Sequence, residues 1–552
     1  MSAPASRISR RTLLRSIAVG GAALAAPSVL TACSDGSAGG GNVSNAGKKA
    51  AAWPAYAPAK GATPDLAATA DGVQAGFTKY PSDLVRAVAE KPGSGKEKIK
   101  VLTITYGTPP KPAAQNKYWQ AVNEALGVEI EFTVVADADY RSKLATVFAG
   151  DDIPDVINLG GGYVLPRQAQ FVQTRCADLT DHLSGDAIKE YPNLAGIPTY
   201  AWQGMGRISG KLYGVPVERP KPQDTLYMNN QAFTKAGYRP GMSTDDFAAM
   251  AKDATGSRKW ALGASATGYF SYKMHANFFG APNEFAYRDG KIVHFGASDE
   301  FKAMLEYLAK LRAQGSYYPE ATSVSQVDLK TQFWNGSVLS MGDGFAAYTS
   351  NAQGIKGAYD LDVAQAYAAP GATVKYQQSQ GCFGYTVIKK ASKERIKLIL
   401  RVLDYLAAPF GTEEYELTHF GLEGTHFERD KDNNPIATEL GLVESKTNVP
   451  FTYLCDAPQV LYAPGYGDVV RRLHAYQQKV VPLMQPNVRF GLQSNTYNTK
   501  GATLEQLIND SVTAIVSGRA KLSSWDTAYA KWQAQGGKKV IEEFTKEYEA
   551  AH

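Results

Sequence analysis

The sequence predicts an α/β fold in which helices flank mainly parallel sheets, and three observations support this prediction. Of the 552 residues, 44% are hydrophobic and 20% are charged, which is typical of globular domains with a sizeable core. After residue 97, segments typical of strands alternate with segments typical of helices. Later helical segments, such as 301–311 and 396–406, carry their apolar residues on one face.

The alternation of strands and helices is clearest near the start of the predicted body. Its successive segments are 98–105 (strand), 115–126 (helix), 128–135 (strand), 140–149 (helix) and 155–159 (strand). This order predicts parallel strands that are joined by right-handed crossovers.

Three aromatic or hydroxylated residues follow these strands. Because ligands of parallel sheets bind at the carboxyl ends of the strands, Tyr106 and Thr108 after the first strand are candidate ligand contacts. Tyr163, which follows the glycines at 160–162 after the third strand, is a third candidate. The glycines are equally compatible with a plain turn from a strand into a helix.

The first 32 residues have the order of an export signal: basic, then apolar, then small residues. Ser9-Arg10-Arg11 resembles a twin-arginine signal, and Leu30-Thr31-Ala32-Cys33 resembles a bacterial lipobox. We therefore expect cleavage before Cys33 and attachment of acyl chains such as palmitate to this residue. An ordinary N-terminal membrane helix is the alternative, but glycines and a proline shorten the apolar run below the roughly 20 residues that span a bilayer.

Net charge argues against a nucleic-acid partner. The chain has 58 Lys and Arg against 53 Asp and Glu, but four arginines lie in the first 32 residues, so the remainder carries a net charge of only +1. Phosphate backbones require concentrated basic side chains. Residues 33–97 are rich in Gly, Ala, Ser and Pro and predict a flexible tether between the anchor and the body.

The sequence contains no recognisable catalytic or metal-binding motif, so we expect neither an enzyme nor a cofactor or metal site. Zinc signatures, a nucleophile elbow, a phosphate loop and a complete dinucleotide fingerprint are all missing. Paired carboxylates for glycoside hydrolysis remain open, because only geometry can identify them. Residues 430–435 have alternating oxygen ligands but lack the Gly and Glu of a calcium loop, which favours a polar turn.

Besides Cys33, the chain has Cys176, Cys382 and Cys455. Three cysteines allow at most one disulfide, and the sequence does not select a pair. Three small buried side chains are the alternative.

Aromatic residues are abundant, with 31 Tyr, 21 Phe and 7 Trp, and many of them lie in segments that predict loops. Aromatic rings stack on the apolar C–H faces of sugars, while charged and amide side chains bind the hydroxyls. The composition therefore favours a carbohydrate ligand, although any one aromatic residue is more often part of a core.

Several motifs in a fixed order resemble the extracellular solute-binding lipoproteins of bacterial ABC importers, in particular the long type that includes alginate- and pectin-oligosaccharide-binding proteins. The motifs are Asn116-Lys-Tyr-Trp119, Phe148-Ala-Gly-Asp-Asp-Ile-Pro-Asp-Val-Ile157, Leu212-Tyr-Gly-Val-Pro216, Phe420-Gly-Leu-Glu-Gly-Thr-His-Phe427, Ser517-Gly-Arg-Ala-Lys-Leu-Ser-Ser-Trp-Asp526 and Gly536-Gly537. They extend over nearly the whole body, from about residue 98 to the C-terminus.

This resemblance implies a type II periplasmic-binding-protein fold with two lobes, each a mainly parallel sheet flanked by helices, joined by a hinge that the chain crosses three times. The implied first lobe is 98–215 with 345–420, and the second is 216–344 with 421–552. The first crossing would lie at Tyr213–Pro216, and the third beside Glu423, His426 and Phe427. The calcium loop of many relatives is not carried over, because residues 253–259 lack its ligands.

The implied function is a membrane-anchored receptor, monomeric and without catalytic activity, that captures an oligosaccharide and delivers it to an ABC permease. Candidate cleft residues, beyond the three at strand ends, are Trp202, Arg219, Phe345, Tyr348, Glu423 and His426. Two alternatives share the export signal and the aromatic content: a surface-tethered carbohydrate hydrolase or lyase, and a peptide or lipid receptor on the same fold.

Overall fold

A computed structural model describes residues 42–69, 71–160, 165–444 and 449–551. Within these ranges the strands are β1 (Glu97–Thr105), β2 (Val128–Ala136), β3 (Val156–Gly160), β4 (Gly214–Glu218), β5 (Asp224–Asn229), β6 (Phe285–Arg288), β7 (Lys291–His294), β8 (Ser340–Gly344), β9 (Leu361–Ala364), β10 (Tyr376–Gln377), β11 (Cys382–Ile388), β12 (Phe427–Arg429), β13 (Pro435–Ala437) and β14 (Met484–Gln485).

The α-helices of the same ranges are α1 (Lys117–Leu126), α2 (Asp137–Ala149), α3 (Gln168–Arg175), α4 (Thr180–Leu183), α5 (Thr199–Met205), α6 (Asn230–Lys235), α7 (Thr244–Ala254), α8 (Tyr272–Phe278), α9 (Asp299–Ala313), α10 (Gln326–Trp334), α11 (Tyr348–Ile355), α12 (Lys393–Leu406), α13 (Glu413–Phe420), α14 (Glu439–Glu444), α15 (Gly467–Val480), α16 (Asn495–Val516), α17 (Trp525–Trp532) and α18 (Lys538–Ala551).

The first sheet has the order β2-β1-β3-β11-β4. β1 pairs in parallel with β2 and β3, as the sequence predicts, while β11 runs antiparallel to β3 and β4. Side chains alternate between its two faces, so Ile99 and Val101 enter one core while Leu102 and Ile104 enter the other. The carboxyl ends of β1, β3 and β4 therefore meet the amino end of β11 at one edge of the sheet.

The second sheet, β8-β5-β9, has its own large core and pairs antiparallel throughout. This differs from the mainly parallel sheet that we expected in each lobe. From Asp224 onward, β5 runs away from the first lobe, whereas β8 and β9 both run toward it. Each of these two strands is therefore antiparallel to β5. The two-lobed α/β architecture itself is confirmed.

Three segments, 219–223, 378–381 and 456–466, pass between the two lobes. The first two segments are hydrogen-bonded to each other: the Arg219 amide donates to the Gly381 carbonyl (3.0 Å), and the Ser379 amide donates to the Lys221 carbonyl (2.7 Å). Two expected crossings are thus corrected. Residues 213–216 lie within the first lobe, leading into and forming β4, and the third crossing begins near Asp456 rather than beside Glu423.

The expected boundaries of the lobes also change. β9 belongs to the second sheet, so residues 345–377 accompany the second lobe instead of the first. Conversely, Val449, Phe451 and Leu454 are buried in the first lobe's core, although 421–552 was expected to be second lobe. The strand patterns in these segments are too short to indicate which sheet they join.

Residues 42–96 do not form a free tether. Val43, Phe77 and Tyr80 are buried, and Trp53 packs against the first lobe's core. The segment lacks the periodicity of helices and strands, yet its apolar side chains pack on the body and its backbone hydrogen-bonds to both lobes. The expected leader and the lipidation site Cys33 lie outside the described residues.

Cys176, Cys382 and Cys455 are buried free thiols. Residues 430–435 form the polar turn between β12 and β13, in which the Asp430 carboxylate accepts hydrogen bonds from the Asp432 and Asn434 amides (2.9 and 2.8 Å). None of the helices in the described part of the chain combines the length and the apolar character needed to cross a membrane.

Candidate functional site

The hinge-side edge of the first sheet carries a group of aromatic rings and one guanidinium, which we call the aromatic site: Tyr106, Arg219, Phe383 and Tyr453. The Phe383 and Tyr453 rings stack with centroids 4.9 Å apart, and Tyr106 meets both rings edge-on at 6.2 and 6.0 Å. Tyr106 is 47% exposed, so one ring of the group is open to solvent.

Strand ends bring these four residues together. Tyr106 follows β1, Phe383 lies near the start of β11 and Arg219 follows β4, which all reach the same edge. Tyr453 arrives just before the third crossing, and its backbone carbonyl accepts a hydrogen bond from the Asn158 side chain of β3 (2.5 Å).

A glycine at the end of β3 makes room for the Phe383 ring. A Cβ atom on Gly160 would lie 2.4 Å from the ring, which is far inside van der Waals contact. Any larger residue at this position would displace Phe383, so the glycine is required by the close approach rather than by an unusual backbone angle.

Arg219 is held by both its backbone and its side chain. Its guanidinium carbon lies 5.0 Å from the Phe383 ring centroid, within the range of a cation–π contact. Its Nη1 donates to the Glu218 carbonyl (2.8 Å). These contacts fix a positive charge beside the exposed Tyr106.

Beneath Arg219, the Glu218 carboxylate links two of the three crossings. Glu218 is 1% exposed and accepts hydrogen bonds from the Tyr200 hydroxyl and from the Gln459 amide (2.9 Å). Burial raises the pKa of Glu218 to about 7, against the opposing effect of the two hydrogen bonds and of Arg219. The floor of the site therefore contains a carboxyl group that titrates near neutrality.

The edge of the second sheet that adjoins the hinge is acidic. Asp224 begins β5 and pairs in register with Gly344, next to Asp343. Burial, with a smaller contribution from Asp343, raises the pKa of Asp224 to about 6. Asp343 forms an ion pair with Lys330 (3.0 Å). The first lobe thus places aromatic rings and Arg219 beside the hinge, and the second lobe places Asp224 and Asp343 there.

This arrangement is suited to binding a ligand that has both apolar faces and polar groups. Aromatic rings offer stacking surfaces, Arg219 donates hydrogen bonds, and carboxyl groups accept them. In the residues that the structure describes, no group of three or more His, Cys, Asp or Glu side chains could hold a metal ion.

Of the nine predicted binding residues, Tyr106 and Arg219 lie together in the aromatic site. Thr108 is exposed two residues beyond Tyr106, and Tyr163 lies outside the described residues.

Three predicted aromatic contacts are instead core residues. Trp202 is fully buried, and its indole nitrogen donates to the Ile197 carbonyl (3.3 Å). Phe345 is buried and stacks on Tyr476, with centroids 5.9 Å apart. The buried Tyr348 hydroxyl accepts a hydrogen bond from the Tyr462 amide (2.6 Å), which fixes the third crossing from below. None of these rings presents a face to a ligand.

Glu423 and His426 lie next to the β12–β13 hairpin. The exposed Glu423 carboxylate accepts from Arg429 Nε (3.0 Å). His426 is fully buried; its Nδ1 accepts from the Leu422 amide (3.0 Å), and its Nε2 lies 3.3 Å from Glu444. Both residues therefore stabilise a local turn, and the structure does not bring them together with the aromatic site.

Phe383 and Tyr453 were not among the residues predicted from the sequence. Phe383 lies in a strand-like run, 382–388, whose amino end reaches the binding edge only because β11 is antiparallel. Tyr453 follows no periodic pattern, since it lies in a short 3₁₀ turn, Phe451–Tyr453. A search for aromatic residues at the amino ends of antiparallel strands would have found the first but not the second.

Comparison with known proteins agrees with this geometry. Residues 117–403 match the family described as bacterial extracellular solute-binding protein. Two Bacillus subtilis proteins are each 22% identical: the polygalacturonan/rhamnogalacturonan-binding protein YtcQ (83% of this chain, 92% of the relative) and the lipoprotein LipO (83% and 93%).

Among solved structures, the HMO binding ABC-transporter associated solute binding protein from Bifidobacterium longum infantis superposes with a TM-score of 0.62 at 15% identity. The superposition covers 83% of this chain and 99% of that one. The family match extends over more than half of the sequence, and the chain belongs to the bacterial extracellular solute-binding proteins.

Proposed function

We propose that this protein is a membrane-anchored receptor that binds an oligosaccharide between its two lobes and presents it to an ABC permease. The observation that carries the proposal is the aromatic site, in which an exposed ring, two stacked rings and a fixed guanidinium adjoin all three hinge segments. A ligand at this place contacts the first lobe at a point where movement of the second lobe can enclose it.

Closure follows from differential binding. A ligand that contacts both lobes binds the closed arrangement more tightly than the open one, so it shifts the population toward closure. Tyr106 would stack on a sugar ring, Arg219 would donate to hydroxyl or carboxylate oxygens, and Asp224 with Asp343 would accept hydroxyl hydrogen bonds from the other lobe. The closed lobes then form the surface that a permease recognises.

The names of two similar proteins support a carbohydrate ligand, because one refers to polygalacturonan and rhamnogalacturonan and the other to HMO. Support for the anchor comes from the sequence order of the first 33 residues and from the similarity to a lipoprotein. Acyl chains on Cys33 would provide durable attachment, since each buried methylene contributes ~0.8 kcal/mol and one chain alone is marginal.

A thermal unfolding screen tests the proposal. The purified protein would be heated with a panel of plant, algal and host-type oligosaccharides, and each sugar would then be analysed for cleavage. A ligand at 100 times its Kd stabilises the folded state by ~2.7 kcal/mol, which is a measurable increase in Tm.

A raised Tm with intact sugar supports the receptor. A raised Tm with cleaved sugar would instead indicate a hydrolase or lyase. If no sugar raises the Tm but a peptide or a lipid does, the protein is a receptor for that other class of ligand.

A further inference from the structure

We infer that the N-terminal segment 42–96 is a strap that fastens the two lobes to each other and limits their relative movement. The inferred fastening point is Asn45, which hydrogen-bonds to both lobes at once. The effect on ligand capture rests on the proposed function, whereas the restraint on the lobes does not.

Near its start, the strap is held on the second lobe by a buried carboxylate. Glu547 of α18 is 4% exposed. It accepts hydrogen bonds from the amides of Asn45 (2.7 Å) and Ala46 (3.1 Å), from Asn45 Nδ2 (3.2 Å) and from the Ser44 hydroxyl. α18 contributes Val540 and Phe544 to the second lobe's core, so Glu547 moves with that lobe.

On the first lobe, the same residues bind the loop after α5. The Gly210 amide donates to Asn45 Oδ1 (2.8 Å), and Asn45 Nδ2 donates to the Arg207 carbonyl (3.1 Å). The Arg207 guanidinium also lies 3.5 Å from the Trp53 ring centroid. Asn45 therefore bridges the Glu547 carboxylate of one lobe and two backbone groups of the other.

The strap then passes between the lobes twice more. It follows the first lobe as far as Ala62. It then crosses to the second lobe, where Gln74 and Gln477 exchange hydrogen bonds. Finally it returns to the first lobe, where the Glu414 carboxylate accepts hydrogen bonds from the Ala87 and Val88 amides (3.0 and 2.9 Å). On the way, the Phe77 amide donates to Leu461 in the third crossing (2.8 Å).

These contacts have a mechanical consequence. Rotation about the hinge moves Glu547 relative to Gly210, and the hydrogen bonds of Asn45 must then lengthen or break. Because the carboxylate is buried and accepts several donors, leaving those donors without a partner opposes the movement. The strap thus adds a restraint to the three hinge segments.

The chain offers a matched control one helical turn away. Glu543, also in α18, accepts hydrogen bonds from the Ser494 hydroxyl (2.5 Å) and the Thr496 amide (2.9 Å), both within the second lobe. Glu543→Ala therefore removes a carboxylate of the same helix without releasing the strap, whereas Glu547→Ala releases it.

Inter-lobe distances in the ligand-free protein test the inference. Spin labels would be placed on the exposed positions Asp151→Cys in the first lobe and Asp253→Cys in the second, in a full-length Cys33→Ser background. The other three thiols are buried and do not compete for the label. We expect the width of the distance distribution to increase at least twofold in Glu547→Ala and to remain unchanged in Glu543→Ala.

The inference would be overturned if the parent and both variants gave the same distance distribution. It would also be overturned if both variants broadened the distribution equally, because the broadening would then come from a general disturbance of α18. If Glu547→Ala does not fold, Asn45→Ala removes the bridge from the strap side, with the same expected broadening. No sugar is present in this experiment, so its failure is independent of any failure of the oligosaccharide screen.

Discussion

The Arg219 guanidinium lies over the Phe383 ring, 5.0 Å from its centroid, and this contact joins the end of β4 to the start of β11. The two residues are far apart in sequence but adjoin successive hinge segments. Under the proposed function, a ligand that stacks beside this pair would bind where the two lobes meet, and the contact would connect binding to lobe movement.

Replacement of the exposed ring should weaken binding. We expect Tyr106→Ala to raise the Kd of an oligosaccharide about tenfold, because one stacking contact of ~1 kcal/mol is lost along with buried apolar area. Tyr106→Phe, which keeps the ring, should change the Kd less than threefold. Isothermal titration measures both. Tyr287→Ala, in β6 of the second lobe, should leave the Kd unchanged; an equal loss in that variant would show that the effect is not local.

Arg219 should contribute to binding through both its charge and its planar guanidinium. Hydrogen bonds to charged groups contribute ~1.5–3 kcal/mol, so Arg219→Ala should weaken binding about 10- to 100-fold. Arg219→Lys should restore only part of the affinity, since an ammonium lacks the planar fork. Arg239→Ala, which breaks an exposed ion pair with Asp246 in the second lobe, is the control. Parent-like affinity in Arg219→Ala would remove this residue from the site.

Glu218 should make stability depend on pH. Its folded-state pKa is raised from 4.5 to about 7, so the folded protein binds this proton more tightly than the unfolded chain does. The parent therefore gains this stabilisation below pH 4.5 and loses it, by about 3 kcal/mol, as the pH rises through 7.

Glutamine has nearly the same shape as a protonated glutamic acid but does not titrate. The Glu218→Gln variant should therefore not lose this stabilisation as the pH rises. We expect the free energy of unfolding of the variant, relative to the parent, to rise between pH 5 and pH 8 in denaturant titrations. Asp224 and Asp404, whose pKa values are each raised to about 6, are the same in both proteins, so their contributions cancel in the difference. A difference that does not change with pH would contradict the assignment.

Trp202 should affect stability and not affinity. Because it is fully buried, Trp202→Ala should lower the free energy of unfolding by ~3–5 kcal/mol. Trp202→Phe, which fills more of the cavity, should cost less. Denaturant unfolding measures these changes, and titration of the folded fraction at low temperature should give the parent Kd. If Trp202→Ala weakened binding without lowering the free energy of unfolding, Trp202 would belong to the ligand site.

Local sequence patterns predicted the part of the fold that depends on local order. The runs at 98–105, 128–135 and 155–159 form the parallel strands β1, β2 and β3, and Tyr106, which was predicted from the carboxyl-end rule, directly follows β1. Arg219 was predicted as a residue just beyond the first crossing, and the structure places it at the start of that crossing, directly after β4.

The remaining features depend on long-range packing. Phe383 and Tyr453 reach the site through an antiparallel strand and a short turn, and Trp202 is buried by partners that are distant in sequence. The composition of residues 42–96 is that of a linker, yet Val43 and Phe77 are buried because complementary surfaces exist on the folded lobes. Composition indicates how flexible an isolated segment is, but it does not indicate whether the folded lobes offer a surface on which the segment packs.

The most direct test of the central claim is the inter-lobe distance, measured with the labels at positions 151 and 253, before and after addition of an oligosaccharide that raises the Tm. We expect a shorter and narrower distance distribution with the sugar and, at a sugar concentration equal to the parent's Kd, a much smaller change in Arg219→Ala than in the parent. An unchanged distance in the parent at saturating sugar would contradict capture between closing lobes.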